Sequence, residues 1–166
     1  MIVLVLGGAR SGKSAFAERL ATGFPEPVTY VATLEVGDDP EMADRVATHR
    51  ERRPASWSTV EPGAELPDAL SRLGGTALVD SLGPWLAGRA GMATDPGPLC
   101  TALTRRAGDT VVVSEEVGLG VHPSSETGRH FRDQLGTINQ AVAEVADRVV
   151  LVVAGRGLDL QPPEGT

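Results

Sequence analysis

The chain has 166 residues, 41% of them hydrophobic and 22% charged, a balance that suits one globular domain over 1–166 and excludes a fibrous repeat or a chain too polar to bury a core. A formal net charge of −7 argues against a broad nucleic-acid-binding face, which needs an excess of Lys and Arg. The lone Cys100 excludes an internal disulfide; no apolar stretch nears the roughly 18 residues of a membrane span, and with no basic leader before the first apolar run a cytoplasmic protein is expected.

In chain order, Ile2 to Leu6 is a short branched-apolar run that stops at a glycine pair, as a central strand buried on both faces would. Val28 to Ala32, Thr76 to Asp80, Thr110 to Ser114 and Arg148 to Val153 repeat that texture. Between them lie helix candidates at Ser14 to Thr22, Pro40 to Arg53, Ala64 to Leu73, Leu82 to Arg89, Pro98 to Ala107 and Glu126 to Ala146. Asp39-Pro40 and Ser124-Ser125 are helix-start signals. The small-residue stretch from Gly88 to Pro98 reads as a surface loop, and the tail from Gly155 to Thr166 as loosely ordered. Strands alternating with helices predict an α/β fold, a mainly parallel sheet flanked by helices.

Gly7-Gly8-Ala9-Arg10-Ser11-Gly12-Lys13-Ser14 satisfies the phosphate-loop pattern G-x-x-x-x-G-K-[ST] and lies between a predicted strand and a predicted helix. Glycines let backbone N–H groups wrap phosphates, the helix N-terminus adds the positive end of its dipole, Lys13 neutralises phosphate charge and the Ser14 hydroxyl can ligate Mg2+. Lys13 is the only lysine among fifteen basic residues. A P-loop NTPase-like enzyme using ATP or GTP is therefore expected. Asp80 ends the strand Thr76 to Asp80, where an acid holds Mg2+ directly or through water; it equally suits an N-cap for the helix starting near Leu82, and one residue can do both.

Arg45, Arg50, Arg52 and Arg53 against Glu51 give +4 − 1 = +3 around His49 in an acidic protein. Either a second anion site or a solvated helix face fits this island. His122 and His130 belong to no metal-ligand spacing and read as structural or surface residues, and Trp57 and Trp85 as packing residues. On residues alone, an ordinary small-molecule kinase, a GTPase switch built on Asp80-Ser81-Leu82-Gly83 and a non-catalytic ATP-binding module remain open. The single lysine leaves no room for the guanine-reading Asn-Lys-x-Asp of a switch GTPase.

Several stretches together resemble the bifunctional adenosylcobinamide kinase/adenosylcobinamide-phosphate guanylyltransferase family of cobalamin biosynthesis: the phosphate loop, Tyr30-Val31-Ala32-Thr33, the run from His49 to Trp57, Thr59-Val60-Glu61, Val79-Asp80, Glu116-Val117-Gly118-x-Gly120, and Phe131-Arg132-Asp133 leading to Asn139-Gln140. The resemblance implies phosphorylation of adenosylcobinamide by ATP or GTP, then transfer of GMP from GTP with release of pyrophosphate. It makes His49 the covalent GMP carrier, places Thr33, Leu34, Glu35, Arg50, Glu51, Arg52, Arg53, Glu61 and Asp80 at nucleotide-contacting positions, and implies a homotrimer. Two positions depart from the family pattern: Glu115 stands where Asn is usual, and Thr137 where Arg is usual.

Overall fold

A computed structural model describes residues 1–34 and 53–162. Among the described residues, seven strands form one sheet in the order β3-β2-β4-β5-β1-β6-β7. They are β1 (Ile2–Gly7), β2 (Val28–Ala32), β3 (Ser58–Val60), β4 (Thr76–Asp80), β5 (Thr110–Glu115), β6 (Arg148–Val153) and β7 (Arg156–Leu160). Every pairing from β3 across to β6 is parallel, and β7 runs antiparallel to β6. All five strands expected from the sequence are present, and the sheet is mainly parallel with helices on both faces, as a P-loop NTPase-like fold requires.

The period-2 alternation of β1 divides the core in two. Leu4 and Leu6 face a cluster containing Leu66, Leu70, Leu86, Leu103, Leu135 and Val142. Those residues belong to α2 (Leu66–Arg72), α3 (Leu82–Ala87), α4 (Gly97–Arg105) and α5 (Glu126–Val145). Val3 and Val5 face the other side, where Ala17 and Ala21 of α1 (Lys13–Thr22) pack with Val111 and Val113. A strand buried on both faces has no polar alternation to display, which is why it reads as a continuous apolar run.

The Ser125 hydroxyl accepts from Gly128 N at 3.0 Å and caps α5. The Asp39-Pro40 start and the helix expected over Pro40 to Arg53 lie outside the described residues, apart from Arg53 itself. Trp85 is buried and donates from Nε1 to Ala64 O at 3.3 Å, and Trp57 packs on the α1-side cluster.

The expected loose tail needs correcting over its first part. Arg156–Leu160 is β7, joined to β6 through Ala154 and Gly155, whose φ angles of 52° and 74° make the two-residue, left-handed turn that right-twisted hairpins favour. Alanine at the first turn position, where Asn or Asp is the usual signal, concealed the hairpin. β3 was also unexpected; three residues are too few to display a period.

Candidate functional site

The parallel strands end along one edge of the sheet, and in such folds ligands bind outside the carboxyl ends of the strands. β1 delivers Gly7 to this edge and the chain turns through the loop into α1. Arg10 and Gly12 adopt positive φ, 55° and 89°. Gly7 has no room for a side chain: a Cβ there would stand 2.5 Å from Ser11 Oγ and 2.8 Å from the Val152 carbonyl. The β6–β7 turn braces the loop from outside, Gly155 N donating to Ser11 O at 2.7 Å. Gly8, Ala9 and Arg10 are exposed, while Lys13 and Ser14 are half-buried at the head of α1.

Asp80, at the end of β4, converges on this loop. Ser14 Oγ donates to Asp80 Oδ1 at 3.2 Å, and the Tyr30 hydroxyl donates to Asp80 Oδ2 at 2.9 Å. Burial first, then the Asp80 carboxylate, pushes the Tyr30 phenol far above its ordinary value, so it stays protonated and remains a donor. The Arg53 guanidinium lies over the Tyr30 ring, 3.6 Å from its centroid, which links the last arginine of the basic island to the acid at the phosphate loop. Ser81 does not cap α3 through its side chain.

Glu115 completes the cluster. β5 lies between β1 and β4, with Gly7 in register with Glu115 and Asp80 with Val113. The Glu115 carboxylate therefore sits between the loop and the Asp80 strand. Its Oε1 is 3.6 Å from Lys13 Nζ and accepts from Ser81 Oγ at 2.7 Å, while Oε2 accepts from Gly83 N at 2.9 Å. A Cβ on Gly83 would collide with this carboxylate. Asn139 of α5 secures the strand end, accepting from Ser114 Oγ at 2.6 Å and donating to Glu115 O at 3.1 Å.

A family model described as cobinamide kinase/cobinamide phosphate guanyltransferase matches residues 3–160. The chain is 42% identical over 168 residues to the bifunctional adenosylcobalamin biosynthesis protein CobP of Pseudomonas aeruginosa, covering 95% of this chain and 96% of the relative. It is 37% identical over 187 residues to CobU of Salmonella typhimurium, covering 97% of this chain and all of the relative. This chain belongs to the cobinamide kinase/cobinamide phosphate guanyltransferase family. Among solved structures, an ATPase of a bacterial type III secretion system superposes with a TM-score of 0.57 at 11% identity, over 95% of this chain and 56% of that one, which shows the fold alone.

As a member of this family the chain is a bifunctional transferase of cobalamin biosynthesis, and its phosphate loop is the nucleotide-binding element. Of the residues expected at the site, Ser14 meets Asp80 directly, Arg53 approaches Asp80 through the Tyr30 ring, and Lys13 meets Glu115 on the neighbouring strand. The Thr33 hydroxyl is buried in the Asp80–Ser81 turn, donating to Ser81 O at 2.5 Å and accepting from Ser81 N at 2.8 Å. Leu34 is half-buried, and Glu61 is exposed just past β3. Glu35, His49, Arg50, Glu51 and Arg52 lie outside the described residues.

Tyr30, Ser81 and the contacts of Glu115 escaped sequence reasoning. Tyr30 is visible as a polar-tipped aromatic in a mostly apolar strand, but pairing it with Asp80 requires knowing that β2 and β4 are neighbours. His130 Nε2 meets the Gly91 carbonyl at 3.1 Å and His122 Nδ1 meets Arg132 Nη1 at 2.8 Å, which agrees with reading both as structural or surface residues.

Proposed function

We propose that one phosphate loop serves both reactions of this family in turn: it holds ATP or GTP while the hydroxyl of adenosylcobinamide is phosphorylated, and GTP while GMP passes through His49. The observation that carries the reading is the convergence of Lys13, Ser14 and Asp80 on the loop in a chain that matches the family over nearly its whole length.

In the first step the substrate oxygen bonds to the γ-phosphorus, the bond to the β,γ-bridging oxygen breaks, and the nucleoside diphosphate leaves. Loop amides and Lys13 counter the charge that develops on the phosphoryl oxygens. Ser14 and Asp80 offer hard oxygen donors of the kind Mg2+ prefers, their oxygens lying 3.2 Å apart. These two residues would hold Mg2+, which would supply charge neutralisation at the triphosphate.

In the second step a neutral imidazole nitrogen of His49 bonds to the α-phosphorus of GTP and pyrophosphate leaves. An oxygen of adenosylcobinamide phosphate then attacks the same phosphorus, the P–N bond breaks, and adenosylcobinamide-GDP departs. Arg50, Arg52 and Arg53 follow His49 in sequence and supply positive charge for the leaving pyrophosphate. Arg53, the last of these arginines, stacks over Tyr30, one hydrogen bond from Asp80, which supports a role for this arginine at the same nucleotide.

A homotrimer belongs to the same proposal. Leu119, Val121 and Val153 are 81%, 95% and 62% exposed, an amount of bare apolar surface that suits burial against another subunit. We place the enzyme in the cytoplasm, where nucleoside triphosphates are available; no helix among the described residues is long and apolar enough to cross a membrane.

Labelling tests the central step. With GTP labelled on the α-phosphate the protein should take up covalent label, and with γ-labelled GTP it should not. The bond should break in acid and survive base, as a phosphorus–nitrogen bond does, and His49→Asn should abolish labelling while sparing much of the kinase step. Absence of label in the wild type would make the chain a simple kinase; normal labelling of H49N would put the nucleophile elsewhere.

A further inference from the structure

The kinase step releases a proton from the substrate hydroxyl, and no residue named so far receives it. Lys13 is a cation. Asp80, which accepts from Ser14 and Tyr30, is already assigned above as an oxygen donor for Mg2+. Glu115 remains, a carboxylate on the strand between the phosphate-loop strand and the Asp80 strand.

We infer that Glu115 is the general base of phosphoryl transfer, a role that rests on the kinase reading above. Lys13 is the residue that reaches the β- and γ-phosphates in such loops, and Glu115 Oε1 lies 3.6 Å from its Nζ. A hydroxyl approaching the γ-phosphorus therefore comes within reach of this carboxylate. The side chain is 23% exposed, so substrate can touch it. Ser81 Oγ and Gly83 N each donate one hydrogen bond, to Oε1 and Oε2 respectively. These bonds aim the carboxylate and still leave each oxygen a second lone pair. Gly83 allows the close approach, since any side chain there would displace the carboxylate. The proton moves from the substrate hydroxyl to Glu115 as the oxygen bonds to phosphorus and the nucleoside diphosphate leaves; Glu115 then returns it to water. A carboxamide at this position could orient a hydroxyl but could not accept its proton.

The test follows adenosylcobinamide phosphorylation by ATP with Mg2+ in the full-length wild type, E115Q and E115A. Glu115→Gln keeps the shape of the side chain and removes its basicity. Its kcat should fall about 10²-fold, the low end of the range for acid–base catalysis, because a loose transition state demands little proton transfer. The dissociation constant for ATP should hold or tighten, since a negative charge beside Lys13 is gone. Glu115→Ala should be restored at least tenfold by sodium formate and not by sodium chloride at equal ionic strength, a response that a packing defect cannot give. A kcat in E115Q within threefold of wild type overturns the assignment, as does an E115A enzyme that ignores formate. Failure of the wild type to phosphorylate adenosylcobinamide would instead remove the kinase reading on which the assignment stands.

Discussion

On the proposed scheme, Lys13 is the residue on which both chemical steps depend. Its Nζ lies 3.6 Å from Glu115 Oε1 at the head of α1, a position that suits contact with a triphosphate on the loop. Lys13→Ala should lower kcat/KM for phosphorylation and for guanylyl transfer alike, by about 10²–10³, the effect of deleting one well-placed donor to transition-state charge. Steady-state assays of each step, the second supplied with adenosylcobinamide phosphate, would check it. Near-normal turnover in either would mean that the two reactions use different nucleotide grips. Tyr30 acts on the same cluster more quietly. Its raised phenol value keeps the proton in place, so it supports Asp80 at every pH the enzyme meets.

At the level of elements, the working end of the sheet is secured by its opposite end. Arg106, just after α4, donates from Nη1 to Asp109 O at 2.7 Å and to Thr110 Oγ1 at 2.6 Å, and from Nη2 to Gly75 O at 2.7 Å. One guanidinium thus ties the turn entering β4 to the turn entering β5, the two strands that carry Asp80 and Glu115. Burial lowers its affinity for the proton, with Asp109 opposing. A lysine ammonium cannot span these acceptors, because its donors radiate from one point rather than from a planar fork. Arg106→Lys should cost about 2–3 kcal/mol, the worth of one or two lost charge-assisted hydrogen bonds, read as a lower urea midpoint with unchanged slope. A midpoint equal to wild type would show that water replaces the clamp without loss.

At the level of the whole molecule, a ligand that binds only the folded state stabilises it by RT ln(1 + [L]/Kd), about 2.7 kcal/mol at a hundredfold excess over Kd. For a chain of this size that corresponds to a rise of roughly 5–10 °C in Tm. GTP with Mg2+ should produce such a shift in a thermal scan of the wild type, and K13A should show little of it. An equal shift in both proteins would place the stabilising nucleotide away from the loop.

Local signals made much of this molecule legible from its sequence. Val28–Ala32, Thr76–Asp80 and Arg148–Val153 were read at the bounds the structure shows, because a strand buried on both faces is a continuous apolar run that turn residues interrupt. The phosphate loop was legible because positive φ and close backbone approach restrict which residues can occupy it. The family followed from motifs spread along the chain. The meeting of Glu115 with Lys13, Ser81 and Gly83 was not legible: residues 13, 81, 83 and 115 become neighbours only once β5 inserts between β1 and β4. Sequence spacing carries no record of strand order. The β6–β7 hairpin was likewise settled in three dimensions, where pairing with β6 and the contact of Gly155 with Ser11 hold a segment whose own residues signal only a polar, glycine-rich tail.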